Sequence, residues 1–152
     1  MFRKFWSDLA HAPRPALCFG LGGLIPFMGL TGLAITGSAV GDHDARTMLA
    51  EYGATILSFV GALHWAYAVK DQVTAATAWR RYGWSVLPAL MAFGALQWAS
   101  VVALRIEAAT LVLALWVDRR LYPQSGLPRW MLALRTLLTT IVAGLLMLAA
   151  VF

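Results

Sequence analysis

The chain has 152 residues, a net charge of +5, 61% hydrophobic residues and only 12% charged ones, about half the charged share of a soluble domain. Its mean hydropathy of +0.71 comes from long apolar blocks without charged faces, which excludes an ordinary soluble globule and points to a membrane protein. The positive charge collects at the ends of those blocks, where it reads as topology signals and contacts to anionic lipid rather than as a nucleic-acid surface.

Residues 1–15 are too polar for the core of a secretory signal and contain Pro13 and Pro15. Phe2, Phe5, Trp6 and Leu9 recur at helical spacing with Arg3, Lys4 and Asp8 between them, so the segment is expected to lie at the membrane surface as a short helix. A single transmembrane helical domain is expected over 16–152.

Span 1 is expected over 16–39. It is rich in glycine, and Pro26 near its middle predicts a bend supported by neighbouring helices. Cys18 reads as a buried free thiol. The turn 41–44 follows, with Asp44 as N-cap of span 2, which runs to about residue 69. Asp42, His43 and Asp44 are adjacent but need not converge, so no metal site is assigned. Residues 70–82 read as a polar connection with a short helix over 75–82. The interval 84–121 is long enough for two short spans, the first ending near residue 100 and the second opening near 103, with Arg105 and Glu107 close to the boundary. Pro123, Gly126 and Pro128 mark a last loop, and span 5 covers 130–152.

The expected architecture is therefore a compact all-α bundle with five transmembrane helices. Ten of the twelve Lys and Arg residues then share one face: Arg3, Lys4, Arg14, Lys70, Arg80, Arg81, Arg119, Arg120, Arg129 and Arg135, against Arg46 and Arg105 on the other. That bias predicts a cytoplasmic N-terminus and a periplasmic or external C-terminus.

Within the apolar run 48–69 one ionisable ring stands out, His64, followed by Trp65. A polar ring at that depth needs a partner or a specific environment, which makes this pair the leading ligand-binding candidate. Gly61 and Ala68, three residues before and four after His64, would let another helix approach that face. Glu51 and Arg105 fall near one boundary and are candidates for an interhelical pair. Arg119, Arg120 and Arg129, with Asp118, Arg80, Arg81 and Arg135, form a charged inner face suited to anionic lipid or a partner protein. No nucleophile–base set, dinucleotide loop or Walker loop is visible, and no second deep histidine exists to complete a haem site, so no catalytic residue and no cofactor is assigned.

The stretches 19–27, 52–59, Gly61-Ala62-Leu63-His64-Trp65, 82–88, Leu127-Pro128-Arg129-Trp130 and Leu134-Arg135 resemble an uncharacterised bacterial inner-membrane family related to mitochondrial transmembrane protein 69. Ala66 and Met131 depart from the family's usual glycine and aromatic. The resemblance implies a multi-helix inner-membrane protein and carries no enzyme site. The expected role is a small non-enzymatic accessory, assembly or stabilising protein of a larger membrane complex, with an integral membrane partner. The alternative is a binder or small transporter of a lipophilic ligand such as a quinone or lipid. A membrane enzyme ranks third.

Overall fold

A computed structural model describes residues 2–70, 74–125 and 128–152. Helix α1 (Phe2–Ala10) is followed after a short turn by α2 (Arg14–Gly22), which opens with a proline in its first turn, where the missing N–H costs no helical bond. Gly23, at φ −62° and ψ −15°, passes α2 almost directly into α3 (Leu24–Ile35). Pro26 cannot donate to the carbonyl of Gly22, so the break falls one turn before it. The Tyr52 hydroxyl donates to the Gly23 carbonyl across this junction at 3.1 Å.

α3 ends at Ile35 with Thr36 as its C-cap, and Gly37 and Gly41, with φ of +66° and +62°, reverse the chain through a small hairpin of β1 (Ala39–Val40) and β2 (His43–Asp44). Asp44 caps α4 (Ala45–Lys70) as its sequence position predicts: its Oδ2 accepts the Thr47 N–H at 3.1 Å. The remaining helices are α5 (Ala75–Ala95), α6 (Ser100–Ser125) and α7 (Arg129–Val151). α4 and α6 run in the same direction, side by side. α5 returns between them on one flank, while α3 and α7 pack on the other.

Phe27, Leu49, Leu57, Leu104 and Leu146 fill the centre. Small residues set the helix spacing around them. A Cβ on Gly61 would collide with the carbonyl oxygen of Ser85, so α4 and α5 touch backbone to backbone there. At the opposite end of the bundle, Arg46 Nε donates to the Ala149 carbonyl at 3.1 Å and Arg105 Nη2 to the Ala150 carbonyl at 3.3 Å. Two arginines from α4 and α6 thus satisfy carbonyls in the last turn of α7 that have no intrahelical donor, where the helix dipole also favours cations.

Several expectations change. The architecture is all-α, but among the described residues three segments, not five, are long and apolar enough to cross a membrane: Arg14–Ile35, Ser100–Arg120 and Arg129–Val151. α4 and α5 have the length without the apolarity. α4 carries Glu51, Tyr52, His64 and Tyr67, and α5 carries Arg80, Arg81 and Tyr82 ahead of Pro88. Part of this polarity serves the protein interior, since His64 and Arg81 are buried. Span 1 stops at Ile35, ahead of the two positive-φ glycines, rather than near residue 39. The connection over 70–82 is not a separate short helix: α5 starts at Ala75 and continues through it, and residues 71–73 lie outside the described residues. α6 opens at Ser100 and runs past Pro123 to Ser125, while Gly126 lies outside the described residues. Cys18 is exposed, not buried.

The α4–α5 contact yields a direct expectation. Gly61→Ala forces the two backbones apart and is expected to destabilise the protein by about 1–3 kcal/mol, the usual cost of overpacking. Gly83→Ala, inside α5 with open space around it, is expected to raise stability by about 0.5–1 kcal/mol through helix propensity alone. Thermal unfolding of both variants in the same detergent, followed by circular dichroism, checks the contrast.

Candidate functional site

A buried polar network toward one end of the bundle joins three helices. His64 on α4 meets Asp118 on α6, Nε2 to Oδ1, at 2.6 Å. The other oxygen of Asp118 accepts from Arg135 on α7, Nε at 2.9 Å and Nη2 at 2.5 Å. All three side chains are largely removed from solvent. Both Arg135 donors converge on that one oxygen, a charge-assisted contact that ties α7 to α6. The second contact of Asp118 is thus made through the other oxygen, with the Nε2 side of the His64 ring turned to it. Beside the triad, the Tyr67 hydroxyl donates to the sulfur of Met131 at 2.7 Å, a second α4–α7 tie.

Next to this network lies an apolar cleft of about 360 Å³ between α2–α3, α4 and α7. α3 packs against both α4 and α7, whereas α2 meets mainly α3 and α7, to a comparable extent, and the wedge between α4 and α7 stays open along the α2 stretch. Phe19, Phe59, Leu63, Trp130 and Leu138 line it, and Arg135 reaches its wall from the triad. The cleft is apolar along its length with one cationic group at its edge, the pattern of a site for a lipophilic molecule with a polar end.

A second buried acid lies on the same seam. Glu107 on α6 is 0% exposed, and neither of its oxygens has a hydrogen-bond partner. It faces Gly53 on α4, where an added Cβ would collide with Oε2. Because α6 opens at Ser100, Glu107 lies two turns inside the helix, not near its boundary.

The other sequence candidates fall as follows. Trp65 is exposed on the outer side of α4, stacked edge-on against Tyr82 with centroids 4.8 Å apart, and is not among the residues lining the space at His64, Asp118 and Arg135. Glu51 and Arg105 do not pair: Glu51 is exposed and Arg105 is committed to α7. Pro26 lies in the first turn of α3 and Gly61 at the α5 contact. Arg120 lies over the Trp116 ring, Arg119 donates to the Thr136 hydroxyl at 3.3 Å, and Arg129 opens α7 at the surface. Sequence reasoning placed Asp118 and Arg135 on a charged face and missed them as the partners of His64. The available signal was spacing: Glu107, Leu111, Ala114 and Asp118 repeat along one helical stripe, which buries the acid at its end. Among the described residues no cluster of three His, Cys, Asp or Glu side chains could hold a metal.

Removing Asp118 strands a buried cation and a buried ring donor. Asp118→Ala is expected to cost about 3–5 kcal/mol, the range for breaking a buried pair from one side. His64→Gln costs less, because the Arg135–Asp118 clamp survives. Unfolding midpoints of the two variants in matched nanodiscs check the order, and equal losses would refute it.

Residues 12–151 match the family described as protein of unknown function DUF3429, a match that takes in α2 through α7. Over 138 residues the chain is 38% identical to transmembrane protein 69 of Xenopus tropicalis, covering 88% of this chain and 52% of that protein. It is 28% identical over 141 residues to transmembrane protein 69 of Mus musculus, covering 93% of this chain and 57% of that one. The chain therefore spans about half the length of the curated relatives it matches. No solved structure matches it. With several apolar helices in one bundle and a family match over nearly its whole length, the chain is a multi-pass membrane protein that belongs to the DUF3429 family.

Proposed function

We propose that this protein is a non-enzymatic binder of a lipophilic molecule, such as a quinone or a lipid, held in the apolar cleft beside the His64–Asp118–Arg135 network. The observation that carries the reading is the cleft itself: about 360 Å³ of apolar space with a single guanidinium at its edge. A chain or ring system fills the apolar part, and a polar end group meets Arg135, whose position is fixed by the two bonds to Asp118. His64 acts one step removed, by orienting Asp118. The basic end of the bundle, with Arg80, Arg81, Arg119 and Arg120, then faces the cytoplasm under the positive-inside bias.

A second reading, an accessory or stabilising subunit of a larger membrane complex, draws on the outer face of α5. Trp79 is 90% exposed there, with Leu90 and Phe93 also outward, and no atoms crowd Gly83 or Gly94. A helix that lacks the apolarity of a span but presents aromatic and small residues outward suits contact with another protein's helix.

Extraction from native membranes into polymer nanodiscs, followed by native mass spectrometry, separates the two. A retained small lipophile that Val60→Trp removes, with helicity unchanged, supports cleft binding; retention untouched by filling the cleft refutes it. A stoichiometric protein partner lost on Phe93→Lys supports the accessory reading instead.

A further inference from the structure

A second, wetter cleft of about 420 Å³ opens on another face of α7, between α1, the end of α6 and the start of α7. The apolar side of α1 makes it. Leu9 is buried against Ala133 and Leu134, with Phe5 beside them, and this docks α1 along α7. Lys4 and Asp8, one turn apart on α1, then line the cleft together. Arg119 enters from the end of α6 and Arg129 from the first position of α7. Arg119 is held in place by its bond to Thr136, whose hydroxyl in turn donates to the Leu132 carbonyl at 2.7 Å. The cleft therefore gathers three cations and one carboxylate, and Asp8 forms an ion pair with none of the three.

Its depth in the membrane follows from the spans. The apolar segment of α6 ends at Arg120 and that of α7 begins at Arg129, so the cleft lies at the boundary of both, at headgroup level. Beside its charged groups the cleft has an apolar lining of Phe5, Leu132 and Ala133. We propose that this cleft is a binding site for the headgroup of an anionic membrane phospholipid. Lys4, Arg119 and Arg129 surround the phosphate, Thr136 positions Arg119, and Phe5 and Leu132 meet the first carbons of the acyl chains. α1 is then the closing wall of a lipid site, and the lipid ties α1 to the bundle. This site does not depend on the apolar cleft beside the His64 network.

The test uses the full chain in phosphatidylcholine nanodiscs doped with phosphatidylglycerol, with retained lipid counted by native mass spectrometry. The wild type is expected to retain phosphatidylglycerol selectively. The double variant Lys4→Gln/Arg129→Gln, at exposed positions, loses that retention by on the order of tenfold or more, as expected for two lost lipid contacts. Arg3→Gln/Arg14→Gln removes the same charge outside the cleft and leaves retention unchanged. Equal losses in both double variants would mean a diffuse surface field and overturn the site. So would undiminished retention in the first. Displacement of the lipid by inorganic phosphate would mark a free-anion pocket and also overturn the proposal. The circular dichroism of each variant, matched to the wild type, keeps folding out of the comparison.

Discussion

One carboxylate holds three helices in register. Asp118 spends one oxygen on His64 and the other on Arg135, so α4, α6 and α7 meet at a single buried point. Removal of such a group from water costs several kcal/mol, which Arg135 offsets in the main and the His64 contact completes. The arrangement leaves little freedom: sliding or rotating any one of the three helices strands a donor or the acceptor. At the far end of the same helices, Arg46 and Arg105 fasten α4 and α6 to the last turn of α7. Between these two ties the packing is made by Leu57, Leu104 and Leu146 and by small residues, which specify closeness but not register.

This division of labour explains where space remains. Helices pinned at both ends can enclose an unfilled wedge without collapsing, and the apolar cleft lies along the stretch where α2 does not close against α4. The bend before Pro26 belongs to the same account. The α2–α3 junction falls at Gly23, and Tyr52 holds it from α4. The residues that give the bundle its rigidity thus lie beside the residues that leave it open.

Much of this could be read from the sequence because it depends on local chemistry. The Asp44 cap, the loop before α6, the proline-led start of α7 and the inward face of Gly61 follow from residue type and spacing. The number of spans could not be read the same way. His64 and Arg81 lower the apolarity of α4 and α5, and whether a polar residue faces lipid, water or a partner depends on helices far away in the chain. The partners of His64 were hidden for that reason: Asp118 lies next to Arg119 and Arg120, and adjacency to surface charge hides a side chain that points the other way. Glu107 was misplaced through an error of three residues in the start of α6, close to one full turn, which in a bundle separates a boundary from a core.

The two buried acids of α6 have a consequence for how this chain can change length. Gly53 meets Glu107, and His64 meets Asp118; both pairs are separated by 54 positions, and the contacts lie eleven residues apart on each helix. Eleven residues are almost exactly three helical turns, about 16 Å of seam. Adding or deleting a single residue between the two contacts on either helix rotates everything beyond it by about 100°, so one acid turns out of the seam as the other stays in. The same change in the short link between α5 and α6 rotates neither. Length variation is therefore tolerated between these two parallel helices and excluded within them.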